Sequence, residues 1–136
     1  MSVYSTPDDV YKYLGRIFEM AFEDPDLAAK LYETKTTMTL HYKNPDSTIF
    51  IDWGNGKVQY GDDATAEPDV HLYMEADTAH RFWLGKVNVP VAMAKGQIKT
   101  RGAVAKVLKI APMMKPMFSK YQGILRDNGL EHLITA

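Results

Sequence analysis

The sequence contains no cysteine, which excludes disulfides, thiolate-bound metals and a cysteine nucleophile. No apolar run approaches the ~18 residues that a membrane-spanning helix needs. The segment Met1 to Asp9 has neither the basic start nor the apolar core of a secretory signal, so an intracellular, soluble chain is expected. Patterns for a serine nucleophile elbow or a phosphate-cradling glycine loop are missing. His41, His71, His80 and His132 are scattered without HxH or HExxH spacing, so no histidine-built metal site is expected. His41 and His71 read instead as satisfied surface or cross-strand side chains. Asp62, Asp63, Glu67 and Asp69 read as a solvated loop rather than a catalytic cluster.

The last absence is of one charge. Between Thr78 and Arg126 there is no Asp or Glu, while ten of the 16 basic residues lie there. That segment carries +10 and the remainder −11, so a net charge of −1 hides a dipolar chain. Such a segment suits anionic headgroups, the phosphates of a coenzyme A thioester, nucleic acid, or the acidic half of its own fold.

What is present points to one α+β domain over residues 1–136. The 136 residues are 46% hydrophobic, enough for one core. Thr6-Pro7-Asp8-Asp9 is a helix start, with Thr6 as the cap, Pro7 in the first turn and acids that complement the helix dipole. Val10, Leu14, Ile17, Phe18 and Ala21 follow as its buried face. Asp24-Pro25-Asp26 opens a second helix through Leu27, Ala28 and Leu31. After Glu33 the apolar period changes from 3.6 to 2. Met38, Leu40 and Tyr42, then Ile49, Ile51 and Trp53, then Val58 and Tyr60 mark an antiparallel meander, with turns at Asn44-Pro45-Asp46 and Gly54-Asn55-Gly56. Val70, Leu72 and Met74 mark a fourth strand. Asp77 is expected to cap a helix over 78–84, Asn88 a short helix to Ala94, and Gln97–Arg101 to be a fifth strand.

The C-terminal stretch is amphipathic. Ala103, Val104, Val107, Leu108 and Ala111 predict one helical face, Pro112 predicts its end, and a new helix follows with Pro116 in its first turn. Met113, Met114, Met117, Phe118, Tyr121, Ile124 and Leu125 continue the stripe up to the stop at Asn128-Gly129. Flexible thioethers clustered on one face suit a surface that accepts guests of varied shape.

The run Leu84-Gly85-Lys86, then Val89 through Lys99 (VPVAMAKGQIK), then Arg101-Gly102 and a lysine-rich amphipathic helix resembles the sterol-transfer domain of the sterol carrier protein family. The resemblance covers roughly Thr36 to Phe118. It implies a five-stranded, mostly antiparallel sheet with helices packed on one face, enclosing an apolar cavity or tunnel. It implies a carrier of sterols, fatty acids, fatty acyl-CoA or similar lipids that uses no catalytic residue and no cofactor. The chain lacks the Ser-Lys-Leu type of peroxisomal ending, so a cytoplasmic setting is expected.

On this basis the expected lipid-binding walls are Phe82, Trp83, Met93, Ile98, Met113, Met114, Met117, Phe118 and Tyr121. Lys106, Lys109, Lys115 and Lys120 are expected to meet an anionic headgroup or membrane. Burial of roughly 0.8 kcal/mol per CH2 would carry the affinity without a catalytic constellation. The expected partners are a hydrophobic small molecule, transiently an anionic membrane, and an acyl-CoA enzyme. Two other readings compete: a protein-interaction or accessory module with a filled core, and a basic nucleic-acid binder. The second is disfavoured because Phe82, Trp83, Phe118 and Tyr121 lie on the apolar stripe and could not stack on bases.

Overall fold

The computed structural model describes residues 3–64 and 66–135. Its N-terminal helical path runs through α1 (Pro7–Val10), a π turn (Tyr11–Gly15) and α2 (Arg16–Glu23), and α3 (Pro25–Glu33) follows. Local sequence starts each piece as expected. The Thr6 hydroxyl accepts from the Asp9 N–H at 3.2 Å, and the Asp24 carboxylate accepts from the N–H groups of Asp26 and Leu27 at 3.1 and 3.3 Å. Val10, Leu14, Ile17 and Ala21 are fully buried, and Phe18 nearly so. Gly15 sits in the π turn because the Tyr60 ring lies where any Cβ would be. That ring is held by its hydroxyl, which donates to Glu19.

Five strands follow: β1 (Thr37–Lys43), β2 (Ser47–Asp52), β3 (Lys57–Tyr60), β4 (Val70–Glu75) and β5 (Lys99–Gly102). Their order in the sheet is β3-β2-β1-β4-β5. All neighbours are antiparallel except β1 and β4, which run parallel with Leu40 opposite Leu72. Alternation then fixes the faces. Met38, Leu40, Ile49, Ile51, Val70 and Leu72 join the buried helix residues in one apolar cluster. The expected α+β layer, helices on one side of a mostly antiparallel sheet, is what forms.

The other face carries His41, His71 and Tyr73 as near-parallel rings, with His41 Nε2 2.9 Å from His71 Nδ1 and centroids of His41 and Tyr73 4.5 Å apart. These are cross-strand histidines of the expected kind. Glu67, at 2.9 Å from His71 Nε2, and Asp69, which accepts from the Thr37 N–H at 3.0 Å, tie the loop before β4 to the sheet more closely than a solvated loop would be.

The helices after β4 depart from expectation in three places. α4 (Ala76–Trp83) starts directly from the strand, so Asp77 lies inside it and does not cap it; its carboxylate accepts from the Val3 N–H at 2.8 Å. α5 (Val89–Ala94) is capped by Asn88 as expected, with Oδ1 3.1 Å from the Val91 N–H. Its end folds back, however: the N–H groups of Gln97 and Ile98 both point to the Ala92 carbonyl, which holds Ile98 under the helix and delays β5 to Lys99. Finally, α6 (Val104–Ile110) is followed by a 3-10 segment (Ala111–Met117) before α7 (Phe118–Asp127). The buried residues are Val107, Ile110, Met114, Met117, Tyr121 and Leu125; Leu108, expected on this face, is 44% exposed.

Gly102 closes β5 at a φ of 103°, and a Cβ there would overlap the Asp69 carbonyl oxygen. Asp69 cannot retreat easily, since that oxygen already accepts from the Ala103 N–H at 3.0 Å. Gly102→Ala is expected to lower the unfolding free energy by about 2 kcal/mol or more. Urea denaturation checks this, and a loss below ~0.5 kcal/mol, the size of an ordinary surface substitution, contradicts it.

Candidate functional site

Between the sheet's inner face and the helices lies an apolar cavity of about 70 Å³. β1 contributes Met38, Leu40 and Tyr42 to its wall, and β4 contributes Leu72 and Met74. Ala79, Phe82 and Trp83 come from α4, Val89 from α5, and Ile98 from the turn under α5. Val107, Ile110, Ala111 and Met114 close the far side, while Phe18 and Trp53 close the end beneath α2. The rings interlock edge to face: Phe18 meets Trp53 at 5.8 Å and Trp83 at 5.5 Å.

A second hollow, a surface groove of about 450 Å³, runs between α5 and the α6/3-10 junction. Phe82, Val89 and Ala111 line both hollows and form a wall shared by cavity and groove. The groove's rim includes Pro90, Leu108, Pro112 and Lys115. Val91 and Leu108 are large apolar side chains left 46% and 44% exposed on these same helices.

An aliphatic and aromatic hollow closed by a sheet on one side and a proline-broken helical segment on the other is a site for apolar matter. The model of the SCP-2 sterol transfer family matches residues 14–115. The chain belongs to that family. Lipid binding and transfer is therefore its class of function. No curated protein sequence matches the chain. Among solved structures, it resembles the apo form of Sterol Carrier Protein 2 from Yarrowia lipolytica, at 18% identity and TM-score 0.65, over 85% of this chain and 94% of that one. It resembles palmitated SCP2L2 from Aedes aegypti at 21% identity and TM-score 0.61, over 77% of this chain and 93% of that one. The sec-alkylsulfatase Pisa1 from Pseudomonas sp. is similar at 17% identity and TM-score 0.55, over 66% of this chain but 16% of the longer one.

Of the nine side chains expected to line an SCP-2 tunnel, Phe82, Trp83, Ile98 and Met114 stand in the cavity wall. Phe118 reaches the groove, not the cavity. Met93 and Met113 pack half-buried against the core, and Met117 is buried within it. The helical stripe put Met113, Met114, Met117 and Phe118 together, and of these Met114 lines the hollow while Met117 packs into the core beside it. The sheet residues Met38, Leu40 and Leu72 were missed as wall residues, although their alternation had already placed them on one face.

Tyr121 is also outside the cavity wall. It belongs to a buried hydrogen-bonded chain that joins both ends of the protein to α4. His80 Nε2 lies 2.9 Å from the Leu133 carbonyl, which can only accept, so the ring proton is on Nε2. The bare Nδ1 then accepts from the Tyr121 hydroxyl at 2.6 Å, which leaves Tyr121 to accept from the Tyr4 hydroxyl. Burial pushes the Tyr4 and Tyr121 hydroxyls up and keeps both neutral.

The four expected headgroup lysines are not equivalent. Lys106 Nζ lies 3.5 Å from the Asp69 carboxylate, so it serves the fold. Lys109, Lys115 and Lys120 are exposed, and Lys115 lines the groove.

Burial pushes the His80 imidazole below its ordinary value, against an opposing pull from the Leu133 carbonyl. The folded state therefore holds the neutral ring while the unfolded chain takes up a proton near pH 6.5. Stability from this group is complete above that value and declines as the pH falls through it. His41 is shifted down as well, by its burial first and then by His71 and Arg101, and adds to the same slope. Thermal unfolding between pH 7.5 and 5 is expected to fall in Tm; His80→Gln is expected to lower Tm at pH 7.5 and to flatten this slope. An unchanged slope in the variant would show that His80 protonation is not coupled to unfolding.

Proposed function

We propose that the protein is a non-catalytic carrier that encloses the apolar part of a lipid, such as a fatty acid, a fatty acyl-CoA or a sterol, between its sheet and its C-terminal helical segment. The observation that carries this reading is the adjacency of the two apolar hollows, which share Phe82, Val89 and Ala111 as lining. At about 70 Å³ the cavity is well below the ~300 Å³ at which sites for drug-sized ligands begin, so loading requires it to widen. The yielding wall is the Ala111–Met117 segment, which contains two prolines and holds the flexible Met114 against the hollow. The palmitated form of the Aedes aegypti relative supports an acyl chain as one class of guest.

Exchange takes place in the cytoplasm at anionic bilayers, with the groove toward the lipid. Val91 and Leu108 enter the interface while Lys109 and Lys115 meet its phosphates, each lysine contributing about 1 kcal/mol that salt screens. Delivery to an enzyme that uses acyl-CoA is a second reading. It is favoured by the sulfatase likeness, in which a fold of this kind makes up a small part of a longer enzyme chain.

Two measurements test the carrier. Ala79 is 2% exposed and lines the cavity, so Ala79→Leu adds three carbons to it. Binding of a fluorescent fatty acid is expected to drop at least tenfold with Tm held within a few degrees, and Val107→Leu offers a smaller plug. Retained binding in both would leave the hollow as a packing defect and favour the interaction-module reading. In vesicle transfer, Lys109→Glu with Lys115→Glu is expected to slow exchange several-fold on anionic but not neutral membranes. A rate indifferent to both charge and salt removes the membrane step.

A further inference from the structure

The outer face of the sheet holds a titratable cluster that lipid carriage leaves unused. His41 Nε2 lies 2.9 Å from His71 Nδ1, and the two rings stand nearly parallel with centroids 5.1 Å apart. The Tyr73 ring stacks on His41 at 4.5 Å and steadies it. His71 holds the Glu67 carboxyl below its usual range, so that group is ionised and can only accept; at 2.9 Å from it, His71 Nε2 carries a proton. Arg101, opposite His71 in the register, brings its guanidinium to 3.2 Å from the same ring nitrogen. The remaining charges nearby are Lys99 opposite Tyr73, Lys43 opposite Glu75, and Asp46, which lines the same surface hollow as His41. Asp69, just before β4, is taken by Thr37 and Lys106, and Thr48, opposite His41 on β2, is uncharged.

Between the two facing nitrogens there is room for one hydrogen. With both rings neutral, His41 Nε2–H donates to the bare His71 Nδ1. One added proton leaves that bond in place, because a His41 imidazolium still donates through Nε2. A second puts hydrogens on both facing nitrogens and sets two cations against each other beside Arg101. Burial first, and then His71 and Arg101, push the His41 imidazole below its ordinary value. The closed pair therefore binds fewer protons than a separated one. Closure is favoured above about pH 6.5 and is lost progressively as the pH falls below it.

The pair fastens the seam between β1 and β4, the parallel pairing of this sheet, and parallel pairing is slightly weaker per residue than antiparallel. Leu40 precedes His41 and Leu72 follows His71; these leucines stand opposite each other in the register, and both line the cavity on the inner face. We propose that His41 and His71 form a proton-operated clasp on this seam: protonation of both rings loosens β1 from β4 and speeds release of the guest held behind them. This rests on the carrier reading and adds a means of regulation to it.

The test uses the intact chain loaded with a pyrene-labelled alkane, which has no titratable group, and follows its departure to excess phosphatidylcholine vesicles. Between pH 7.5 and 5.5 the release rate is expected to rise about fivefold or more. In His41→Gln, whose amide can still donate to His71 Nδ1, the rise is expected to shrink below about twofold. Arg101→Gln keeps both histidines and removes a cation beside them, so the rise is expected to begin at higher pH. Hydrogen exchange separates the clasp from global unfolding: protection of β4 amides, corrected for the intrinsic rate, is expected to fall at pH 5.5 while that of α7 amides holds. A release rate flat with pH, a full rise that survives His41→Gln, or β4 protection that falls only in step with α7 each overturns the inference and leaves the carrier intact. Failure of the alkane to bind at pH 7.5 overturns the carrier reading and the release step with it, and β4 exchange in the wild-type chain then still decides the clasp.

Discussion

The structure depends on a break in one helical ladder. Pro112 has no N–H to return to the Leu108 carbonyl, and Pro116 repeats the omission one turn later. The chain answers with a 3-10 segment between α6 and α7. Residues advance about 2.0 Å there instead of 1.5 Å and repeat every three positions. The buried set Val107, Ile110, Met114, Met117 and Tyr121 keeps alternate steps of three and four across the break, so one apolar stripe still faces inward. The break leaves the inward face intact, and within it Met114 joins Leu40 and Leu72 in the wall of the hollow.

The electrostatic arrangement follows the same division of labour. The acid-free segment begins in α4 and ends in α7; Lys106, Lys109, Lys115 and Lys120 lie on its C-terminal helical stretch, while Lys99 and Arg101 lie on β5. One of them, Lys106, is drawn back to Asp69 beside β4, where the Thr37 N–H holds that carboxyl below the usual carboxylate range. Lys109, Lys115 and Lys120 are exposed on the same C-terminal helical stretch as exposed Leu108, whereas Arg101 turns to His71 on the sheet's other face and Arg126 to Glu131. Apolar tips flanked by cations suit the boundary between acyl chains and phosphates better than a protein surface of balanced charge.

Much of the fold was legible because its signals are local. Thr6, Asp24 and Asn88 cap the helices they were expected to cap, since a short side-chain acceptor before an apolar period has few alternatives. Alternation gave the faces of β1, β2 and β4, because a one-residue slip would expose a whole row of apolar side chains. What escaped was decided at a distance. The parallel pairing of β1 with β4 is a matter of chain topology, invisible to any window of sequence. Asp77 looked like a cap but is taken by the Val3 N–H, a partner 74 positions away. The site divided in the same way. The sequence pattern showed which residues are apolar and on which element, and Phe82, Trp83, Ile98 and Met114, expected beside a hollow, line one. It could not separate residues that line a hollow from those that fill the core beside it, and Met117 and Tyr121 fell on the filled side.

The size of the hollow bears on the carriage proposed for it. Keeping about 70 Å³ empty costs roughly 2 kcal/mol at the usual cavity penalty, a tolerable fraction of a small domain's stability. A preformed tunnel several times larger would cost correspondingly more and would tend to collapse or take up water. A nearly closed hollow bounded by a 3-10 wall avoids that standing cost, and the work of widening falls on the guest. Each CH2 it buries returns roughly 0.8 kcal/mol, so ten of them supply about 8 kcal/mol against that work. Affinity then grows with chain length until the wall can yield no further, and selectivity cannot come from the hydrocarbon alone.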